Sequence, residues 1–226
     1  MENSTVKREA LNVIETLQPG GRVFAVVRVI EHEGGKAILK DFSRSSLLFQ
    51  QTFGWFLAGR EIRAYRRLKG VAGVPRLIRR TCPHGLLLEY VPGTNCLDAP
   101  PDSFSPEFFD QIGALLSQVR ARGVLHCDLA GNLVRGIDGK PWLVDFASSV
   151  VLPRGLGPVE TCLRNLRSKY DERALLKVKR RRAPHLLTAD EAKQSRAVLP
   201  LEGWVRVGEW LVRRTIGWLS GQWRPQ

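Results

Sequence analysis

The stretch His126–Ser149, HCDLAGNLVRGIDGKPWLVDFASS, decides how the rest of the chain is read. It sets a His-x-Asp at His126–Asp128, an asparagine four positions after that aspartate at Asn132, and Asp145-Phe146-Ala147 near its end. Between Asn132 and Asp145, the segments LVRGI and PWLVDF flank Asp138-Gly139, a dipeptide that favours the tight turn of a two-stranded hairpin. Such a hairpin brings two residues distant in sequence onto one edge. Asn132 and Asp145 then offer hard oxygen ligands, and Asp128 a carboxylate beside them.

Upstream, SPEFFDQIGALLSQVRARG has Ser105 at the N-cap, Pro106 at the first helical position, Glu107 in the first turn and Gly123 at the far end, which predicts a helix. Residues 95–106 are rich in Pro, Asp and Ser and read as a connection between two lobes. Before them, RLIRR and GLLLEYV read as short strands, ended by Pro92-Gly93. Residues 45–70 have a helical pattern, with Phe56, Ile62, Tyr65 and Leu68 on one face and Gly70 as C-cap. RVFAVVRVIEHEGGKAILKDF reads as two strands around Gly34-Gly35. Val6, Ala10, Val13, Ile14 and Leu17 are spaced for a short helix over residues 6–17, closed by Pro19-Gly20-Gly21. The residues beyond the hairpin read as mainly helical.

With 226 residues, 43% of them hydrophobic and 25% charged, the chain is long enough for one sizeable core or two small lobes. Its 35 Lys+Arg against 22 Asp+Glu give a net charge of +13, which draws phosphate-rich partners: nucleotide, nucleic acid or anionic headgroup. Cys82, Cys96, Cys127 and Cys162 are scattered, with no C-x-x-C pair and no metal-ligand spacing, so a reduced cytosolic chain without structural zinc is expected. No apolar leader or membrane-spanning run is evident, so a cytoplasmic protein is expected.

Phosphoryl transfer from ATP needs a cation on the phosphates, an acid to hold that cation, metal ligands, and a carboxylate facing the acceptor hydroxyl. Candidates stand here in that chain order: Lys40 ending AILK, Glu61 in GREIRAYRRL, then Asp128, Asn132 and Asp145. Each alone has a plainer reading, since a lysine ending a strand or a glutamate on a helix is usually a solvated charge. The ordered set carries the argument.

On AILKDF, GREIRAYRRLKGVAGVPRLI, GLLLEYVPG, GVLHCDLAGNLV and KPWLVDFASS, the chain resembles the protein-kinase-like superfamily over roughly residues 22–190. It looks most like small atypical bacterial kinases grouped with lipopolysaccharide core (heptose and 3-deoxy-manno-octulosonic acid) kinases, and like RIO-type kinases. The resemblance implies an α+β, bilobal protein-kinase-like fold without a long activation segment. Its small β-rich N-lobe would be residues 1–93 and its mainly helical C-lobe residues 94–226. It implies ATP and Mg²⁺ as cofactors, with Lys40 and Glu61 on the phosphates, the strand around Glu89 and Val91 at the adenine, Asp128 serving the acceptor, and Asn132 and Asp145 on the metal. Three features depart from the family pattern: Asp128 to Asn132 is one residue short, no G-x-G-x-x-G occurs, and Ala147 stands where the pattern has glycine.

The basic run Lys177, Lys179, Arg180, Arg181 and Arg182 reads either as a solvated helix face or as a site for an anionic acceptor or headgroups. In the tail, Val212, Ile216, Leu219 and Trp223 form one stripe, with Arg206, Arg213 and Arg214 between. That stripe suits either packing on the C-lobe or peripheral contact with the inner membrane. The expected reaction is transfer to a hydroxyl of a lipopolysaccharide or other anionic glycolipid sugar. A protein serine/threonine acceptor is the nearest alternative, a nucleotide-binding pseudokinase scaffold the next. No specific nucleic-acid partner is expected.

Overall fold

A computed structural model describes residues 12–20, 25–42, 55–100, 103–153 and 158–196. The chain divides into two compact units, one of residues 1–70 and 74–92, the other of residues 71–73 and 93–226.

The first unit is built on a five-stranded sheet. Its strands are β1 (Val13–Gln18), β2 (Val26–His32), β3 (Gly35–Asp41), β4 (Leu77–Cys82) and β5 (Gly85–Glu89), in the order β1-β2-β3-β5-β4, and every neighbouring pair is antiparallel. In the β2–β3 hairpin His32 pairs with Gly35, so the loop is Glu33-Gly34, with φ of 50° and 75°. Both central residues lie in the left-handed region, as a two-residue type I′ turn requires. The turn thus falls one residue earlier than Gly34-Gly35, and Gly35 opens β3. Ile30, Ala37, Leu39 and Leu87 form a buried cluster against which Ile78 packs. Helix α1 (Trp55–Arg67) buries Ala58, Ile62 and Tyr65, with Leu68 following, an apolar stripe at helical spacing. The earlier part of the helix expected over 45–70, residues 45–54, and the side chain of Phe56 lie outside the described residues.

The helix expected over residues 6–17 is corrected where it can be seen, because Val13–Gln18 is a strand. Its backbone is satisfied by pairing with β2, from Val13↔Ile30 to Gln18↔Val27. All six of its side chains are exposed. Over so short a run, apolar residues at positions 13, 14 and 17 fit a helix stripe as well as an edge strand, and long-range pairing chose the strand. Residues 1–11 lie outside the described residues.

The second unit holds β6 (Gly93–Asn95), α2 (Pro106–Ala121), β7 (Val124–Leu125), β8 (Leu133–Gly136), β9 (Pro141–Leu143), β10 (Val150–Val151), α3 (Pro158–Arg182), a 3₁₀ turn (Pro184–Leu186) and α4 (Ala189–Arg196). β6, β8 and β9 form one small sheet in that order, and β7 pairs with β10. Helix α2 begins as its sequence predicts: the Phe108 N–H donates to the Ser105 hydroxyl at 3.4 Å. It buries Phe108, Phe109, Ile112, Leu115, Leu116 and Val119 on one face. The segment 95–106, expected to join two lobes, belongs instead to the second unit. β6 is already laced to β8, and the last crossing from the first unit to the second comes at Pro92–Gly93. Gly93 faces Gly136 in that ladder, and a Cβ on Gly93 would lie 2.9 Å from the Gly136 Cα and against the Arg135 carbonyl. Gly93 lets these strands approach where a side chain would collide with backbone, and at Gly136 a Cβ would instead meet the side chains of Asp138 and Trp142.

The basic run at the end of α3 is largely spent inside the unit. Lys179 Nζ donates to both carboxylate oxygens of Glu191 at 2.9 and 2.8 Å, Arg180 to the Ser195 carbonyl and hydroxyl at 3.4 and 3.3 Å, and Arg182 to the Ala99 carbonyl at 3.1 Å. Glu191 and Thr188 meanwhile close a capping box at the start of α4. The run therefore clasps α4 and the 95–100 segment and is not a plain solvated face. The tryptophan-rich tail, residues 197–226, lies outside the described residues. Among the described residues no helix is long and apolar enough to cross a membrane.

Candidate functional site

The side chains singled out in the sequence fall into two groups, one in each unit. In the first unit, Lys40 stands near the end of β3, paired with Val27 of β2 and Leu86 of β5. Its Nζ lies 3.1 Å from each carboxylate oxygen of Glu61 on α1. The pair is sequestered: Lys40 is 7% exposed and Glu61 0%. Taking two charges out of water costs several kcal/mol per ion, which their attraction at best repays. A buried pair of this kind contributes little to stability over an apolar one.

Glu89 ends β5, and its carboxylate accepts the Arg76 N–H at 2.9 Å while its own N–H donates to the Arg76 carbonyl at 2.9 Å. Its side chain thus braces the entry to β4, and Val91, half-buried, follows two residues later. β1 and β2, antiparallel neighbours, precede Lys40 in the chain, and residues 21–24 between them lie outside the described residues. Gly20 has φ 80°, and a Cβ there would lie 2.7 Å from Val26 Cγ2.

In the second unit, the β8–β9 hairpin does what its sequence predicted. The Val144 N–H donates to the Asn132 carbonyl at 2.9 Å, which sets Asp145 beside the end of the loop that begins at Asp128. Asn132 Nδ2 donates to the Asp128 carbonyl at 2.8 Å, and the Asn132 N–H to the Leu129 carbonyl at 3.1 Å. The short Asp128–Asn132 loop is thereby closed on itself, and the amide oxygen of Asn132 is the atom suited to a hard cation. Asp145 has φ 57°, and its Oδ1 accepts the Ala147 N–H at 3.1 Å. Asp128 is exposed.

Below this loop sits a polar centre of which sequence reading found only one part. His126 is fully buried, edge-on to Phe146 at 4.8 Å between ring centroids. Its Nδ1 accepts the Asp128 N–H at 3.3 Å, so the proton is on Nε2, which donates to the Val144 carbonyl at 2.9 Å. One ring therefore ties the Asp128 end of the site to the Asp145 end, so His126 braces the loop. The unforeseen member is Asp171, on α3 and 3% exposed. Its carboxylate accepts the His126 and Cys127 N–H groups at 3.4 and 3.2 Å. Cys127 has φ 68°, a left-handed conformation that costs a non-glycine residue about 1–3 kcal/mol, and the bonds to Asp171 oppose that cost. In the sequence Asp171 is one of three acids on a basic helix, with nothing to mark it as buried.

Burial pushes the His126 imidazole below its ordinary 6.5, against the Val144 carbonyl and the carboxylates of Asp171, Asp145 and Asp128, which pull it up. Burial pushes Asp171 above its ordinary 3.8, opposed by His126 and the two backbone N–H groups. The unfolded histidine takes up a proton below 6.5 while the folded one resists, so His126 favours folding above that pH and the benefit is lost on acidification. Asp171 acts in the opposite sense, its folded form binding protons more readily above 3.8. The expected result is a melting temperature that falls between pH 7 and pH 5, with a shallower slope in His126→Phe. A pH series of thermal melts on both proteins measures it, and equal slopes would count against His126 as the source.

No family model and no curated protein matches the chain. Among solved structures it is similar to the Rio2 kinase from Chaetomium thermophilum, with a TM-score of 0.56 and 14% sequence identity. The match covers 77% of this chain and 61% of that one, so the chain spans less than two thirds of that kinase. The likeness shows the fold: mixed α+β, protein-kinase-like, with the sheet first and the helices after it.

Proposed function

We propose that the chain is an ATP-dependent kinase that moves the γ-phosphate to a hydroxyl group. The observation that carries this reading is the buried Lys40–Glu61 pair, 3.1 Å apart. A sequestered ion pair that adds little stability is retained for what it does, and a lysine held by a glutamate is a fixed cation for phosphate oxygens. Glu89 and Val91 lie on the segment assigned to the adenine. Asp128 accepts the proton of the acceptor hydroxyl as that oxygen bonds to the γ-phosphorus and the bond to the β–γ bridging oxygen breaks, releasing ADP.

Asn132 and Asp145 fit Mg²⁺, since both offer hard oxygens and Mg²⁺ is commonly held by one or two carboxylates together with substrate phosphates. Bound there, the ion neutralises charge on the phosphate oxygens. Asp145 and Asn132 would be kept side by side by the Val144–Asn132 backbone bond.

The acceptor assigned is a sugar hydroxyl of an anionic glycolipid, supported by the net charge of +13 and the resemblance to lipopolysaccharide core kinases. The internal bonds of Lys179, Arg180 and Arg182 remove part of the basic run from that support. A protein serine or threonine is the second reading, favoured by the structural likeness to a Rio2 kinase. Incubation with γ-labelled ATP and separated membrane-lipid and protein fractions tests both. Label in lipid supports the first and label in protein the second. Label in neither, with no effect of ATP and Mg²⁺ on the melting temperature, overturns the kinase reading and also a nucleotide-binding scaffold.

A further inference from the structure

We infer that Asn95 is a positioning residue for the Asp128–Asn132 loop, through its side-chain amide on the Gly131 carbonyl; the inference rests on the kinase reading only for its consequence at the metal. Asn95 Nδ2 donates to the Gly131 carbonyl at 2.7 Å, across 36 positions of sequence. Gly131 is the residue before Asn132, so this bond holds the peptide that leads into the metal-ligand candidate. The ties from Asn132 to Asp128 and Leu129 lie within the loop, and its two ends are held from His126 and Val144, whereas the tie from Asn95 reaches the loop's interior from the β6 strand.

Asn95 is itself firmly set. Its Oδ1 accepts the Leu97 N–H at 2.8 Å, its carbonyl accepts the N–H groups of Asp98 and Ala99 at 2.9 and 3.0 Å, and its backbone pairs with Val134 of β8. The next residue adds a bond from the Cys96 N–H to the Leu133 carbonyl at 2.8 Å, on the far side of Asn132. The partners also fix which way the amide lies, because a peptide N–H only donates and a peptide carbonyl only accepts. Asparagine fills both demands at once. Aspartate keeps the turn onto Leu97 but turns a lone pair toward the Gly131 carbonyl. Serine keeps a short acceptor for Leu97 and is too short to reach Gly131.

The test uses the full chain as wild type, Asn95→Asp and Asn95→Ser. Hydrogen exchange at the Asn132 amide is expected to rise about three- to tenfold in both variants, the scale of one lost hydrogen bond. The exchange of β9 should stay at the wild-type level. In thermal-shift titrations, the Mg²⁺ concentration giving half of the ATP-dependent stabilisation should rise by a similar factor, about three- to tenfold. ATP binding in the presence of a chelator should not change. Unchanged exchange in either variant, or an effect confined to the charged one, overturns the inference. An equal loss of ATP binding with and without Mg²⁺ also overturns it, since that is general damage. If the wild-type chain shows no response to ATP and Mg²⁺, the kinase reading is what has failed, and exchange at Asn132 alone still decides the tie.

Discussion

Asp128→Ala is expected to lower phosphate transfer by about 10²–10⁴-fold, the usual loss when a positioned proton acceptor is removed. Asp128 is exposed and its backbone N–H, which survives the substitution, makes the bond to His126. The melting temperature should therefore stay at the wild-type value, and so should its rise on adding ATP and Mg²⁺. Labelled-phosphate transfer measured beside thermal shift separates these outcomes. A variant that binds nucleotide normally and transfers at the wild-type rate would remove Asp128 from the reaction.

The second large effect is on stability and activity together. Glu61→Ala removes the carboxylate facing the Lys40 ammonium in a site where that side chain is 9% exposed, and removing one member of a buried pair costs about 3–5 kcal/mol. Lys40→Met removes the cation facing the Glu61 carboxylate and should cost a similar amount, again about 3–5 kcal/mol. The double variant Lys40→Met/Glu61→Leu removes both charges of the pair and should recover most of that loss. Urea unfolding of the four proteins completes the double-mutant cycle. The decisive comparison is with activity: the double variant should fold nearly as well as wild type and still transfer no phosphate. A double variant both stable and active would show that the pair has no part in phosphate binding.

Much of the fold was legible because it is written in local signals. Ser105, Pro106 and Glu107 announce helix α2, and Asp138-Gly139 announces the β8–β9 hairpin. The buried stripe of α1 repeats at helical spacing. Each depends on a capping group, a turn dipeptide or a period within one element. The failures share a cause too. Val13–Gln18 is a strand because β2 lies beside it, and the segment 95–106 belongs to the second unit because β6 pairs with β8 and Arg182 reaches Ala99. Neither partner is a sequence neighbour.

The candidate site divides in the same way. By itself the sequence determined which residue types stand in which order: Lys40, Glu61, Asp128, Asn132 and Asp145, with a hairpin of the right length between the last two. Order and turn chemistry are properties of the chain. Tertiary structure alone decided that Lys40 and Glu61 meet in a buried pair, that Asn132 closes the short loop onto Asp128, and that Asp171 and Asn95 hold this loop from α3 and β6. The roles of Asn132, Asp171 and Asn95 depend on hydrogen bonds to backbone groups, which every residue carries alike and no sequence pattern marks, and the Lys40–Glu61 pair depends on β3 and α1 meeting across 21 positions of sequence.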